Sequence, residues 1–430
     1  MKISILAAGA GGMYCGSCLR DNALATALKR GGHEVTLIPM YTPLRTDTAD
    51  ASIGEVFYGG VNAWLQHSSG VFRHTPRAVD WLLDRTWLLD IAGKFGAQTS
   101  PAKLGPFVIS ILKGEEGSTI KELRRLVQFV KTSVSPEIVS LPNAMFIGMA
   151  RMLRDELGVP VVCELTGEDI FLEAMAEPYK SEAQDLIRER AKDVNQFVAT
   201  SEYYAETMSD YLQVDRNLID VVYPGISKQH FGHRPESAGE KRPPTLGYFA
   251  RICPEKGLDR LIDAFSILRK MQWMEMTRLR AAGYLGSAHK EWYRQLEERV
   301  AREGLDKAYT YVGEVDFAGK LAVLDSMDVL SVPSTWPEAK GLYVLEALAR
   351  QVPVVLPRHG AFWELVQKTG GGVIVPPNDP QALAEGIAGL FADEAKRVDL
   401  GLRGQEAVRN AFTDEHMAAN MVKVYQRLIR

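Results

Sequence analysis

Residues 2–38, KISILAAGAGGMYCGSCLRDNALATALKRGGHEVTLI, decide the fold. Lys2–Ala7 is an apolar run of strand length, and Gly9–Gly12 is a turn. From Leu19 to Arg30 the apolar residues recur at helical spacing, with Leu24 and Leu28 on one face and Ala23 and Ala27 beside them. Gly31-Gly32 stops that helix, because glycine accepts the left-handed backbone in which helices commonly end. Glu34–Ile38 is the next strand. Strand, helix and strand within about 35 residues form a βαβ unit, and that connection requires a parallel sheet. The first ten residues also look like a short secretory leader. The strand reading is preferred, since cleavage there would destroy the unit that follows.

Outward from this unit the pattern repeats. Glu137–Leu141, Pro160–Leu165, Gln196–Thr200 and Asp220–Tyr223 read as strands separated by helical stretches, ending near Tyr223-Pro224-Gly225. Residues 227–243 are polar and turn-rich and read as an interdomain linker. Thr245–Ala250 restarts the series as a strand. Gly257–Lys270 follows as a helix with Leu258, Leu261, Ile262, Phe265 and Leu268 on one face. Arg278–Ala282, Tyr309–Val312, Val329–Pro333, Val352–Leu356 and Gly372–Val375 are further strands. Asp379 before Pro380 is an N-cap with proline at the first helical position. An amphipathic helix closes the chain from Asp414 to Ile429. The expected class is α/β: two Rossmann-like, doubly wound domains, residues 1–226 and 244–412, with residues 413–430 as a terminal helix. Ligands in such sheets lie beyond the carboxyl ends of the strands, and two sheets set mouth to mouth enclose a cleft. Residues 57–117 interrupt the first domain with Trp64, Trp81, Trp87, Leu82, Leu83, Leu88, Leu89, Phe107 and Ile111. Helices packed on that domain are the plain reading; a lid or acceptor-binding face that touches lipid is the sharper one.

Composition removes several classes of function. A chain of 430 residues exceeds one ordinary core, and 46% apolar with 24% charged residues is globular. A net charge of −4 supplies no basic field for nucleic acid. No apolar run reaches the ~18–20 residues of a membrane span. Four cysteines, Cys15, Cys18, Cys163 and Cys253, make no disulfide framework at this length and suit a reducing, cytoplasmic compartment. Cys15-Gly16-Ser17-Cys18 has the spacing of a metal or redox pair, yet no second pair completes a zinc site. That leaves a metal or disulfide shared with Cys163 and Cys253, or small buried thiols. Gly9-Ala10-Gly11-Gly12 starts like a dinucleotide fingerprint, but Tyr14 stands where the third glycine belongs. Thr36-Leu37-Ile38-Pro39-Met40 also offers no acidic residue to a ribose. A nicotinamide cofactor is therefore not expected, nor is any other cofactor.

Two segments carry candidate chemistry. In Trp336-Pro337-Glu338-Ala339-Lys340-Gly341-Leu342-Tyr343-Val344-Leu345-Glu346-Ala347-Leu348-Ala349, a proline- and glycine-containing loop enters a helix near Leu342. Amides at a helix start suit a diphosphate, and carboxylates at Glu338 and Glu346 accept hydrogen bonds from sugar and ribose hydroxyls. Eight residues of helix span ~12 Å, beyond the ~5–9.5 Å of a glycosidase carboxylate pair. The bland alternative is a surface helix with two solvated glutamates. In Gly247-Tyr248-Phe249-Ala250-Arg251-Ile252-Cys253-Pro254-Glu255-Lys256-Gly257, Arg251 and Lys256 straddle a tight loop at a strand's carboxyl end, where cations meet phosphate.

Taken in order, these motifs resemble family 4 of the retaining glycosyltransferases, which has the GT-B fold. The resemblance rests on Gly11-Gly12, Tyr223-Pro224-Gly225-Ile226, Arg251 with Lys256-Gly257, Glu338 to Glu346, Gly360-Ala361-Phe362-Trp363-Glu364-Leu365-Val366 and Gly370-Gly371-Gly372. It implies transfer of a sugar from a nucleoside-diphosphate sugar to the hydroxyl of a glycan, lipid or small molecule, with retained configuration and no required metal. It implies that Arg251 and Lys256 hold the donor diphosphate, Glu338 lies near the transferred sugar, and Glu346 binds the donor ribose. The amides of Gly341, Leu342 and Tyr343 then face sugar and phosphate, Gly11 and Gly12 line the acceptor or phosphate side, and the terminal helix returns to the first domain. The family often places a histidine, a glycine and, two residues on, an aspartate after a mid-domain strand. Here the stretch is Glu164-Leu165-Thr166-Gly167-Glu168-Asp169, with Thr166 in the histidine's place and Asp169 retained. The alternatives are an impaired nucleotide-sugar or glycan-binding protein, or an epimerase or phosphorylase on the same fold. The expected location is cytoplasmic, with peripheral contact at the inner face of the membrane as a variant.

Overall fold

The computed structural model describes residues 1–9, 15–58, 101–232 and 242–429, with residues 101–103 as backbone only. Gly11, Gly12, the three tryptophans Trp64, Trp81 and Trp87, and Leu82, Leu83, Leu88 and Leu89 lie outside the described residues. So does the linker stretch 233–241. The chain divides into two compact units, Met1–Pro224 with Asp414–Arg430, and Gly225–Thr413.

The first unit is a six-stranded parallel sheet. Its strands are β1 (Lys2–Ala7), β2 (Glu34–Pro39), β3 (Ile138–Leu141), β4 (Val161–Leu165), β5 (Gln196–Ala199) and β6 (Ile219–Val221), in the spatial order β2-β1-β3-β4-β5-β6. These strands are continuous apolar runs because helices cover both faces of a parallel sheet. β1 is buried from Ile3 to Ala7. The helix Gly16–Arg30 starts three residues before the apolar periodicity shows it, because Gly16 and Ser17 give that signal nothing to count. It lays Leu24, Ala25 and Leu28 on the core. The terminal helix, Asp414–Leu428, adds Met417, Met421, Val424 and Tyr425 to the same cluster. Arg30 fastens the start of that helix through Asp414, at 2.5 Å. Beneath these helices Arg20 is buried against Asp21 and Glu164, and Ser140 donates to Glu164 at 2.9 Å. The described end of the 57–117 interruption is the helix Pro101–Leu112, which packs against the helix Tyr179–Arg190 of this unit.

The second unit repeats the plan. β7 (Thr245–Phe249), β8 (Arg278–Ala282), β9 (Tyr309–Tyr311), β10 (Val329–Leu330), β11 (Val354–Pro357) and β12 (Gly372–Val375) lie in the order β12-β11-β10-β7-β8-β9. β10 pairs over two residues only, where the sequence reads five, but Ser331 N still donates to Gly247 O at 2.9 Å. The helix Leu258–Leu268 presents Leu258, Leu261, Ile262, Phe265 and Leu268 to the core, as its spacing requires. Residues 225–232, most of them read as linker, pack into this unit instead. His230 is buried edge-on to Phe317 at 4.9 Å, and Gln405 donates to the Gly232 carbonyl at 2.7 Å. Their polar composition reflects partners far off in sequence.

Both strand orders reverse direction once, between β1 and β3 and between β7 and β10. At such a point neighbouring connections leave toward opposite faces and open a crevice above the strand ends. Among the described residues no helix is long and apolar enough to cross a membrane.

The terminal helix is expected to carry much of the first unit's stability. Met421→Ala, at a fully buried position, lowers stability by about 2–5 kcal/mol. Urea unfolding followed by far-UV circular dichroism reads this as an earlier midpoint, and an unmoved midpoint would deny the helix a part in the core.

Candidate functional site

The second unit's crevice is built by the loops leaving β7 and β10. After β7 the chain passes Arg251 and turns through Pro254–Lys256 to Gly257, whose φ is +71°. A Cβ at Gly257 would stand 2.0 Å from the Pro333 carbonyl oxygen, so only glycine lets the two loops touch there. Thr335 N donates to Glu255 O at 2.9 Å, and Ser334 Oγ donates to the same oxygen at 2.8 Å, locking the loops together. Gly360, with φ +56°, performs the equivalent service on the other flank. A Cβ there would meet Glu338 N at 2.4 Å, and Ala361 N donates to Glu338 O at 2.7 Å.

Glu338 is held at its carbonyl by that bond, and its carboxylate is buried. Lys256 Nζ lies 2.5 Å from Oε2, Tyr343 donates its hydroxyl to the same oxygen at 2.7 Å, and Lys340 N donates to Oε1 at 3.3 Å. The Lys256 ammonium also stands over the Tyr343 ring, 5.5 Å from its centroid. Burial alone would raise the Glu338 carboxyl. The charge of Lys256 and the hydrogen bonds from Lys256 and Tyr343 outweigh it and hold the group at about 2. Burial and the adjacent carboxylate push the Tyr343 hydroxyl well up, so it stays a donor. Lys256 spends one of its three donors on Glu338. Arg251 is exposed at the edge of the same loop, its carbonyl held by the Tyr248 hydroxyl at 2.9 Å.

Glu346 lies one turn into the helix Leu342–Ala349, which Gly341 starts at φ +65° with no side chain capping it. The two glutamates are not solvated, and the helix is not a surface helix: Val344 to Ala349 are all buried. Glu346 pairs with buried Lys320 at 2.7 Å, and His230 Nε2 stands 3.7 Å from the same oxygen. Lys320 comes from the helix Phe317–Asp325, 26 residues earlier, and no local spacing in the sequence marks it.

In the first unit, the residues after β4 form a separate hydrogen-bonded group. Thr166 is buried and donates to Pro142 O at 3.4 Å, while Ser17 donates to Thr166 Oγ1 at 3.4 Å. The Glu168 carboxylate accepts from Thr166 N at 2.7 Å and Ala144 N at 2.9 Å. Its burial raises its pKa against those bonds. Asp169 opens a short helix, and Tyr204 donates to its Oδ1 at 2.8 Å. Glu168 and Tyr204 went unmarked in the sequence because both act through tertiary contacts. The structure holds all four cysteines as thiols, and Cys163 lies mid-strand in β4 with its side chain in the core.

Comparison with known proteins adds to this geometry. Residues 22–230 match the family described as Glycosyltransferase Family 4, and residues 232–407 match Glycosyl transferases group 1. A lipopolysaccharide core biosynthesis mannosyltransferase, LpsB, of Rhizobium meliloti is 31% identical over 194 residues, covering 43% of this chain and 52% of the relative. A phosphatidyl-myo-inositol mannosyltransferase of Mycobacterium leprae is 29% identical over 206 residues, 47% of this chain and 52% of the relative. The chain spans about half the length of these curated relatives. Among solved structures, sucrose-phosphate synthase from Thermosynechococcus elongatus superposes with a TM-score of 0.72 at 18% identity, covering 99% of this chain and 98% of that one. Anabaena HepE, solved with UDP and glucose, has a TM-score of 0.69 at 18% identity over the whole of both chains.

The ionised state of Glu338 makes a pH prediction. Its folded value of about 2 lies below the ~4.3 of an unfolded glutamate. The pairing therefore adds stability that is complete above ~4.3 and is lost as pH falls toward about 2, on the order of 3 kcal/mol. Glu338→Gln is expected to be less stable at neutral pH but to lose less on acidification from ~pH 5 to ~pH 2.5. Urea midpoints at a series of pH values measure the difference, and equal losses in both proteins would detach the effect from Glu338.

Proposed function

The chain belongs to the glycosyltransferases of family 4 and group 1, with the GT-B architecture of two Rossmann-like domains, and on that premise we propose that it moves a sugar from a nucleoside diphosphate to an acceptor hydroxyl with retention at the anomeric carbon. One observation carries the reading. A carboxylate held ionised at neutral pH, the lysine paired with it and an uncapped helix start converge where the strand order of the second unit reverses.

In this reading Arg251, Lys256 and the amides of Gly341, Leu342 and Tyr343 receive the donor diphosphate. As the bond from the anomeric carbon to the diphosphate oxygen breaks, the leaving group takes the electron pair, and these cations and dipoles stabilise the charge that develops. The acceptor oxygen bonds to the same face, and its proton passes to a phosphate oxygen. Glu338 accepts hydrogen bonds from sugar hydroxyls and faces the cationic character at the anomeric carbon. Glu346, oriented by Lys320, accepts from the ribose. Thr166 and Asp169 serve the acceptor side, Asp169 aimed by Tyr204, and Gly11 and Gly12 complete it. A glycosidase acid needs a raised pKa, and Glu338 is shifted the other way. The buried Thr166 hydroxyl, already engaged at 3.4 Å on each side, favours a second reading as a donor binder with little turnover.

Thermal-shift measurements with UDP, GDP and ADP, followed by donor hydrolysis and transfer assays, test both. One diphosphate is expected to stabilise the protein, and Lys256→Ala and Glu338→Gln to lower turnover roughly 10²-fold while the fold persists. Binding without nucleotide release would select the binder, and normal turnover in both variants would remove these residues from the site.

A further inference from the structure

Cys15 and Cys18 take no part in the chemistry above, yet their placement is specific. Cys15 is the N-cap of the fifteen-residue helix Gly16–Arg30, on extended backbone at φ −116° and ψ 127°, and Cys18 lies one turn inside. Cys15 is half-buried and Cys18 buried. The two thiols are in contact: the hydrogen bond with Cys15 comes ahead of burial in raising the Cys18 thiol. Residues three apart on a helix ordinarily hold their Cβ atoms ~5–6 Å apart, and a disulfide needs ~3.5–4.5 Å. Cys15 sits outside the helical turns on extended backbone, so the helical spacing does not fix its Cβ. Cys15, at the helix start, is the more accessible of the two.

We infer that Cys15 and Cys18 form a disulfide-exchange site that takes a small external disulfide as its co-substrate. The Cys15 thiolate attacks one sulfur of that disulfide and forms a mixed disulfide, releasing the first small thiol. Cys18 then gives up its proton and attacks the Cys15 sulfur, closing the internal bond and releasing the second. Two protein thiols are oxidised and one external disulfide is reduced to two thiols. The bond reports to the candidate acceptor group through Ser17, which lies between the cysteines and donates to Thr166 Oγ1 at 3.4 Å. Closing the bond tightens the turn that carries Ser17. This consequence for transfer rests on the function proposed above, whereas the bond itself does not.

The test equilibrates the full-length protein with glutathione at a series of oxidised-to-reduced ratios, followed by acid quench, denaturation, alkylation and mass spectrometry. Alkylated thiols are expected to fall from four to two, with the bond mapped to Cys15 and Cys18 and reversed by dithiothreitol. Cys18→Ser is expected to trap glutathione on Cys15, and Cys15→Ser to react roughly tenfold more slowly. Four alkylated thiols at every ratio, or a wild-type glutathione adduct at Cys15 that Cys18 never displaces, would overturn the site. Transfer is expected to change several-fold on oxidation in wild type and not in the double variant Cys15→Ser, Cys18→Ser. Equal transfer by oxidised and reduced wild type, with the bond formed, would overturn the coupling through Ser17.

Discussion

A carboxylate buried at the mouth of a parallel sheet stays ionised only while a cation is held against it. In this protein that pair is Glu338 and Lys256, and much of the second unit's local structure exists to keep them together. Lys256 arrives on one loop and Glu338 on another, 82 residues later. The loops must nearly touch, which is why Gly257 has no Cβ to set against Pro333 and why Gly360 leaves room for the Glu338 backbone. The strand order supplies the rest, since β7 and β10 are neighbours only because the sheet reverses its winding between them. An apolar pair of similar volume would cost less to bury. Retaining charge in that position makes sense where the lysine has a second anion to meet.

Glu346 follows the same logic one turn further on, with Lys320 as its cation and His230 beside it. The first unit solves its own version with Arg20 between Asp21 and Glu164. Each unit thus carries charge inside its fold, and in the second a buried pair lies beside the helix start at Gly341, which no side chain caps.

The sequence disclosed what depends on neighbours and hid what depends on distance. β1, β8 and β12 were legible to the residue, because apolar runs between turn residues leave few alternatives. The helix start at Leu342 was legible because Pro337 and Gly341 stand before it, with Glu338 and Glu346 eight residues apart. The start of the helix Gly16–Arg30 escaped, since its first turn carries no apolar stripe. Ser227–Gly232 read as linker because polar residues look alike whether they meet water or Phe317 and Gln405. Lys320, Glu168 and Tyr204 could not be found locally, for Lys320 meets Glu346, Glu168 meets Ala144 N and Tyr204 meets Glu168 across 24 to 36 residues.

The terminal helix bears on how the molecule comes into being. Met417, Met421, Val424 and Tyr425 complete a core begun by Ile3 and Ile5, at the opposite end of the chain. During synthesis the first unit to emerge is therefore the last able to close, because its core stays open until residue 428 has left the ribosome. The second unit, contiguous from Gly225 to Thr413, is complete earlier. Domains usually fold in the order in which they are made, whereas the first unit here draws part of its core from a segment made after the second. For the time it takes to make some two hundred residues, at roughly 5–20 residues per second, an unfinished apolar face waits in the cell. That interval is when a chaperone would have most to offer this protein.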